Sequence, residues 1–162
     1  MAARRRPRLP DTGSRAPEVS FTRIEGGEVT LGEIIADGPV VLAFFKVTCP
    51  VCQLTLPFLE RIHAAGTLPV YGISQNDASD TREFSADFRV TFPMLLDEED
   101  LDFPASNAFG ISSVPTMFLV EPDGAISRVM EGWSRKDIES LGAKAGVAVF
   151  RKGENVPAWK AG

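Results

Sequence analysis

Apolar residues along this chain fall into short blocks of two periods. Val40-Val41-Leu42-Ala43-Phe44-Phe45 is a continuous apolar run of strand length. A run without polar alternation predicts a strand buried on both faces, as in a parallel sheet covered by helices. Leu68 to Ile73 and Thr116 to Val120 read as two further strands, and Phe92 to Leu96 is a shorter apolar segment. Between these blocks the period changes. Leu54, Phe58, Leu59 and Ile62 are spaced for one helix face, within a helical stretch that follows Cys52, runs to about Ala65 and is ended by Gly66. Asp80 to Phe88 predicts a second helix, with Ser79, Asp80 or Thr81 near its cap. Pro104 to Phe109 predicts a helical turn, and Ser134 caps a last helix to about Ala145.

Shorter signals complete the order. Val19 to Thr22 and Val29 to Leu31 read as strands flanking the turn Glu25-Gly26-Gly27-Glu28. Leu31 to Ala36 is a helical turn closed by Asp37-Gly38-Pro39. Pro122-Asp123-Gly124 is a turn signal, and Ala125 to Glu131 pairs back as a hairpin partner. The resulting order is β, β, β-α-β-α, then β-β-α. It predicts an α/β domain whose sheet contains parallel strands, carries helices on both faces and ends on an antiparallel hairpin. Residues 17–146 are expected to form that domain, with residues 1–16 a disordered basic tail and residues 147–162 a C-terminal tail without a recognisable pattern.

Composition narrows the class. The 162 residues are 44% hydrophobic, enough for a real core and too many for a disordered chain. The formal charge of −5 is uneven: five arginines and one aspartate give residues 1–15 about +4, leaving about −9 on the remainder. An acidic body excludes a nucleic-acid surface, because phosphate binding draws its affinity from basic residues. Arg4, Arg5, Arg6 and Arg8 are followed by Pro7, Pro10, Asp11 and Gly13 where a secretory signal needs an apolar stretch. No run of about 18 apolar residues is present to span a membrane. The expected compartment is the cytoplasm, or the periplasm or outside if a signal has been trimmed from the sequence.

The chemistry rests on the chain's two cysteines, Cys49 and Cys52. They are three residues apart, immediately after the buried strand and at the start of a helix. Free N–H groups and the helix dipole favour negative charge there, and a thiolate is the charge that benefits; C-x-x-C thiols at helix starts have pKa values lowered from about 8.5 to roughly 3.5–7.5. Cys49, outermost, is expected to attack a substrate disulfide. Cys52, one turn inward, is expected to resolve the mixed disulfide. Pro50 occupies a first-turn position where a proline costs no hydrogen bond. Two other readings stay open: half of a zinc site, for which no second pair exists and His63 is the sole histidine, and an inert structural pair.

Two prolines extend the motif. Pro57 interrupts a helix that otherwise reads cleanly, which ordinarily costs about 3 kcal/mol. Pro115, in Val114-Pro115-Thr116, stands at the head of the strand Met117 to Val120. Together Cys49, Cys52, Pro57 and Pro115 resemble the thioredoxin-like superfamily, in which a strand leads to C-x-x-C, a helix carries a proline eight residues after the first cysteine, and a cis-proline faces the disulfide. The resemblance spans about Ala16 to Ala145. The early hairpin and the segment from about Gln75 to Asn107, with its phrase Phe92-Pro93-Met94-Leu95-Leu96-Asp97, are similar to the redoxin branch, which includes thiol–disulfide oxidoreductases and peroxiredoxins of the alkyl hydroperoxide reductase type. The resemblance implies a thioredoxin-like fold, a central mixed sheet flanked by helices with an N-terminal hairpin and a β-α insertion. It also implies a cis Pro115, with Val114 offering its backbone to an extended partner segment. Thr48 and Pro50 are the other expected substrate contacts.

The function implied is disulfide exchange with protein partners, through the Cys49–Cys52 couple, with no cofactor or metal and with a thiol electron donor. Departures bear on its tuning. Thr48 stands where thioredoxins have tryptophan, Ala43 where they have a buried carboxylate, and Thr55 where cytochrome-maturation relatives often carry glutamate. Lys46, Asp77 and Asp97 are left as candidates to move the Cys52 proton. Two alternatives remain. In a peroxiredoxin-like thiol peroxidase, aligning Cys52 with the peroxidatic cysteine puts Phe45 at the family's proline and Cys49 at its hydroxyl residue. A non-catalytic or metal-carrying binding protein would need His63 to join the two cysteines.

Overall fold

The run Val40–Phe45 forms β3, the centre of the molecule, and all six of its residues are buried. Its side chains alternate between two cores. Val41, Ala43 and Phe45 face the long helices, and Val40, Leu42 and Phe44 face the opposite side; burial on both faces is what the unbroken apolar run requires. The fold is described by a computed structural model covering residues 8–162.

Seven strands form one sheet in the order β2-β1-β5-β4-β3-β6-β7. β4 (Val70–Ser74) and β5 (Met94–Leu96) run parallel to β3 on one side. β6 (Thr116–Val120) runs antiparallel to β3 on the other, and β7 (Ile126–Glu131) returns from it as the hairpin. The expected early hairpin is β1 (Ser20–Arg23) with β2 (Glu28–Thr30), and it joins the sheet through antiparallel pairing of β1 with β5. The short segment Phe92 to Leu96 is therefore a true inner strand. It lies two places from β3, which is why its three strand residues are all buried.

Helix α1 (Leu31–Ile35) follows β2 directly. Helix α2 (Pro50–Ala64) carries Cys52, Leu56, Leu59 and Ile62 into the first core, with Pro57 inside it. Helix α3 (Ala78–Asp87) begins two residues before the expected start, because the Asp77 carboxylate accepts from the Asp80 N–H and caps it. Helix α4 (Pro104–Ala108) is the predicted helical turn. Helix α5 (Arg135–Ala145) is capped by Ser134, whose Oγ accepts from the Asp137 N–H, and packs beside α2.

Both expected tails depart from expectation over the described residues; residues 1–7 lie outside them. Residues 13–16 run along the start of β7: Gly13 N–H donates to Ile126 O, Ile126 N–H to Ser14 O and Ala16 N–H to Gly124 O. Ala16 is buried and Leu9 packs on the second core. Backbone pairing, which leaves no side-chain pattern, holds this stretch. The C-terminal stretch is held by packing. Val149 is buried, the Phe150 ring packs tilted against Phe58 with centroids 5.1 Å apart, and Arg61 makes two hydrogen bonds, of 2.7 and 2.8 Å, to the Glu154 carboxylate. The short strand β8 (Trp133–Ser134) pairs antiparallel with β9 (Trp159–Lys160).

Candidate active site

β3 ends at Phe45 and α2 begins at Pro50, so four residues must turn the chain from sheet to helix. The turn is tied at each peptide. Val47 N–H donates to Asn76 Oδ1 at 3.0 Å, Val47 O accepts from Gln53 Nε2 at 2.9 Å, and Cys49 N–H donates to Lys46 O. Asn76 comes from the end of β4 and Gln53 from α2, so the loop is fixed to both. Neither amide belongs to the motif, and the sequence carries no signal that singles them out.

Cys49 is the N-cap of α2. Its sulfur accepts the Cys52 N–H at 3.2 Å, which is the bond a Ser or Asp cap ordinarily makes. Negative charge on that sulfur meets the Cys52 N–H, which has no partner within the helix, and the positive end of a 15-residue helix. Pro50 sits at the first helical position, where its missing N–H costs nothing. Cys49 is half-buried and Cys52 wholly buried, and both are free thiols. Burial, then the hydrogen bond with Cys49, pushes the Cys52 thiol far above its ordinary value, and the Lys46 backbone N–H offsets only part of this.

Val114 and Pro115 face the pair from the opposite loop. The peptide between them is cis, as expected. Cys49 Sγ lies 3.6 Å from Val114 O. Thr48 and Pro50 are exposed on either side of Cys49, and Pro115 is buried behind Val114. A cleft of about 190 Å³ opens beside Val114, lined by Lys46, Gln75, Ser106 and Asn107 among others. The structure thus gathers Cys49, Cys52, Thr48, Pro50, Val114 and Pro115 at one end of the sheet.

Other candidates are placed elsewhere or already engaged. Asp97 is buried and accepts from Ala105 N–H at 2.9 Å and Ser106 N–H at 2.7 Å, so both oxygens hold α4 in place. Asp77 is committed to its cap. Thr55 is buried, and its hydroxyl donates to Val51 O within its own helix. Lys46 is exposed at the end of β3, and its peptide groups face both cysteines. His63 lies eleven residues beyond Cys52 on α2, about 16 Å along the axis at 1.5 Å per residue. Its Nδ1 accepts the Val70 N–H at 3.0 Å. The helix separates it from the cysteines, so the three cannot ligate one ion.

The sheet order and the helix that opens on Cys49 opposite Val114 define a thioredoxin-fold protein with a dithiol at its working end. Solved structures share that fold. The thioredoxin domain of a thiol-disulfide oxidoreductase from Bacteroides vulgatus superposes with a TM-score of 0.72 at 22% identity, covering 83% of this chain and 97% of that one. A putative thiol:disulfide interchange protein DsbE from Chlorobium tepidum gives 0.71 at 22% identity, covering 83% and 94%. The chain belongs to the AhpC/TSA family, whose model matches residues 12–129. Among curated relatives, methylamine utilization protein MauD of Methylobacillus flagellatus is 31% identical over 82% of this chain, which spans 63% of that protein's length. Thiol-disulfide oxidoreductase ResA of Geobacillus thermodenitrificans is 26% identical over 77% of this chain and 72% of its own.

Proposed function

We propose that this protein is a thiol–disulfide oxidoreductase that exchanges disulfides with protein partners. One observation carries the reading: an accessible sulfur capping a helix, 3.6 Å from the Val114 carbonyl, with a buried second thiol one turn behind it. The relatives named as thiol-disulfide oxidoreductases support it.

In the reducing direction the Cys49 thiolate attacks one sulfur of the partner's disulfide. A Cys49–partner bond forms, and the partner's other sulfur leaves as a thiolate and takes up a proton. Cys52 then gives up its proton and attacks Cys49 Sγ. The Cys49–Cys52 bond forms and the partner's second thiol departs, so two electrons have passed from this dithiol to the partner. A donor dithiol reverses the process on the protein itself. The two sulfurs carry the electrons, so the reaction calls for no cofactor. Val114 presents its backbone as the edge on which an extended partner segment aligns its disulfide with Cys49, and Thr48 and Pro50 border the approach.

Cys49→Ser is expected to abolish reduction of insulin disulfides, while Cys52→Ser accumulates mixed disulfides visible on non-reducing gels. Turnover unchanged in Cys49→Ser refutes the proposal.

A further inference from the structure

Residues 159–162 return to the site. From Trp159 the backbone pairs with β8, in the register Trp133↔Lys160 and Ser134↔Trp159. It then passes Gly132 and reaches Val114. Gly132 is buried at positive φ, and a Cβ there would collide with the Lys160 carbonyl and stand 3.0 Å from Gly162 N. A Cβ on Gly162 would stand 2.5 Å from Val114 O and 2.9 Å from its carbon. That oxygen is the one that meets Cys49 Sγ at 3.6 Å. The strand Trp159–Lys160 therefore leads the small residues Ala161 and Gly162 against the backbone that a partner segment would use.

Their attachment is graded. The root is firm: Trp133, fully buried, donates its indole N–H to Pro157 O at 2.6 Å, and Arg135 N–H donates to Ala158 O. The tip is held by a two-residue ladder, and Trp159 is 65% exposed, so its side chain adds little burial. A short strand with few buried apolar contacts opens at the low end of local stability. Ala161 and Gly162 present no bulk to the groove between Gly132 and Val114, and the contact is one of backbone against backbone.

We propose that residues 159–162 are an internal occupant of the partner-docking groove, a built-in competitor that must lift away before an extended partner segment reaches Val114 and Cys49. This rests on the exchange reading above. The groove then selects for an extended peptide with small residues where Ala161 and Gly162 now lie, and the apparent affinity for partners is reduced by the fraction of open groove.

The test compares the full chain with one lacking residues 159–162, which keeps Pro157 and its bond to Trp133, and with full-length Gly162→Val, whose side chain is driven off the Val114 carbonyl. Both variants are expected to reduce insulin roughly tenfold faster, the inverse of an open fraction of about one tenth. Their reaction with the small disulfide 5,5′-dithiobis(2-nitrobenzoate), which needs no groove, should stay within about twofold. A synthetic peptide of residues 157–162 is expected to slow the shortened chain and to shift the amide resonances of Val114 and Gly132. Equal insulin rates in all three proteins, with no peptide-induced shifts, overturn the proposal. If none of them exchanges thiols, the exchange reading fails, and the peptide shifts alone decide whether the groove takes this segment.

Discussion

Cys52 offers a quantitative test because its burial acts on stability with a definite sign. The thiol is fully buried and held protonated far above the ordinary value of 9.0, first by desolvation and then by its hydrogen bond with Cys49. In the unfolded chain it ionises at its ordinary value. Above pH 9 the unfolded state therefore binds fewer protons than the folded one, and the reduced protein loses stability as pH rises. The contribution is fully present below pH 9 and declines by about 1.4 kcal/mol per pH unit above it. Between pH 8 and 10.5 the loss from this group alone is about 2 kcal/mol.

The measurement is urea unfolding of Cys49→Ser, in which no disulfide forms and one thiol titrates, beside Cys49→Ser/Cys52→Ala. The two variants differ at position 52 alone, so the difference between their pH dependences isolates Cys52. The single variant should lose about 2 kcal/mol more than the double variant over that range. Parallel pH dependences would show that Cys52 ionises as readily in the folded chain as in the unfolded one. The same burial bears on turnover. Once Cys49 is tied up in a mixed disulfide its thiolate no longer opposes charge on Cys52, but the desolvation remains, so resolution is expected to be the step that quickens with pH.

Three further outcomes follow from other contacts. Asp97→Ala leaves the Ala105 and Ser106 N–H groups without their buried acceptor and should cost about 3 kcal/mol in urea unfolding, with Asp97→Asn costing less. The Arg61 guanidinium, and then the Arg151 N–H, hold the Glu154 carboxyl at about 2 against its ordinary 4.5; this contribution is present above pH 4.5 and lost as pH falls towards 2, so Glu154→Gln should flatten the acid limb of the urea midpoint against pH. Cys52 has no exposed surface for a peroxide to reach, so Cys49→Ser should consume hydrogen peroxide no faster than Cys49→Ser/Cys52→Ala in a peroxide-consumption assay with a thiol reductant.

What the sequence made legible was local. An unbroken apolar run of strand length predicts an inner strand, and β3 is one. A cysteine pair with Pro50 in the first turn placed Cys49 and Cys52 at a helix start, and they stand there. Pro57 and Pro115 pointed to the helix and the facing loop only together with the cysteines, through the resemblance to the thioredoxin-like superfamily. The C-terminal stretch had no such signal. Its apolar residues are scattered among glycine and proline, and its partners are remote: Arg61 reaches Val149 O across 88 positions and Glu154 across 93. Strand β9 has two residues, too few to show a period. The loop residues Asn76 and Gln53 act by hydrogen bonds that any amide side chain could make, so nothing in their identity announced the role.

Ala43, Thr48 and Thr55 supply no charged or aromatic group to the dithiol, and Cys52 is enclosed by apolar packing. Cys52 belongs to the same buried cluster as Leu56, Met117, Trp133 and Val149, with Phe58 and Phe150 against it. Val149 and Phe150 come from the stretch with no readable pattern, and Trp133 is pinned by Pro157 of that stretch. The segment that brings residues 159–162 to Val114 thus also helps seal the core in which Cys52 stays protonated. The C-terminal stretch whose tip is proposed to occupy the groove beside the outer sulfur contributes Val149 and Phe150 to the buried cluster that holds the inner one.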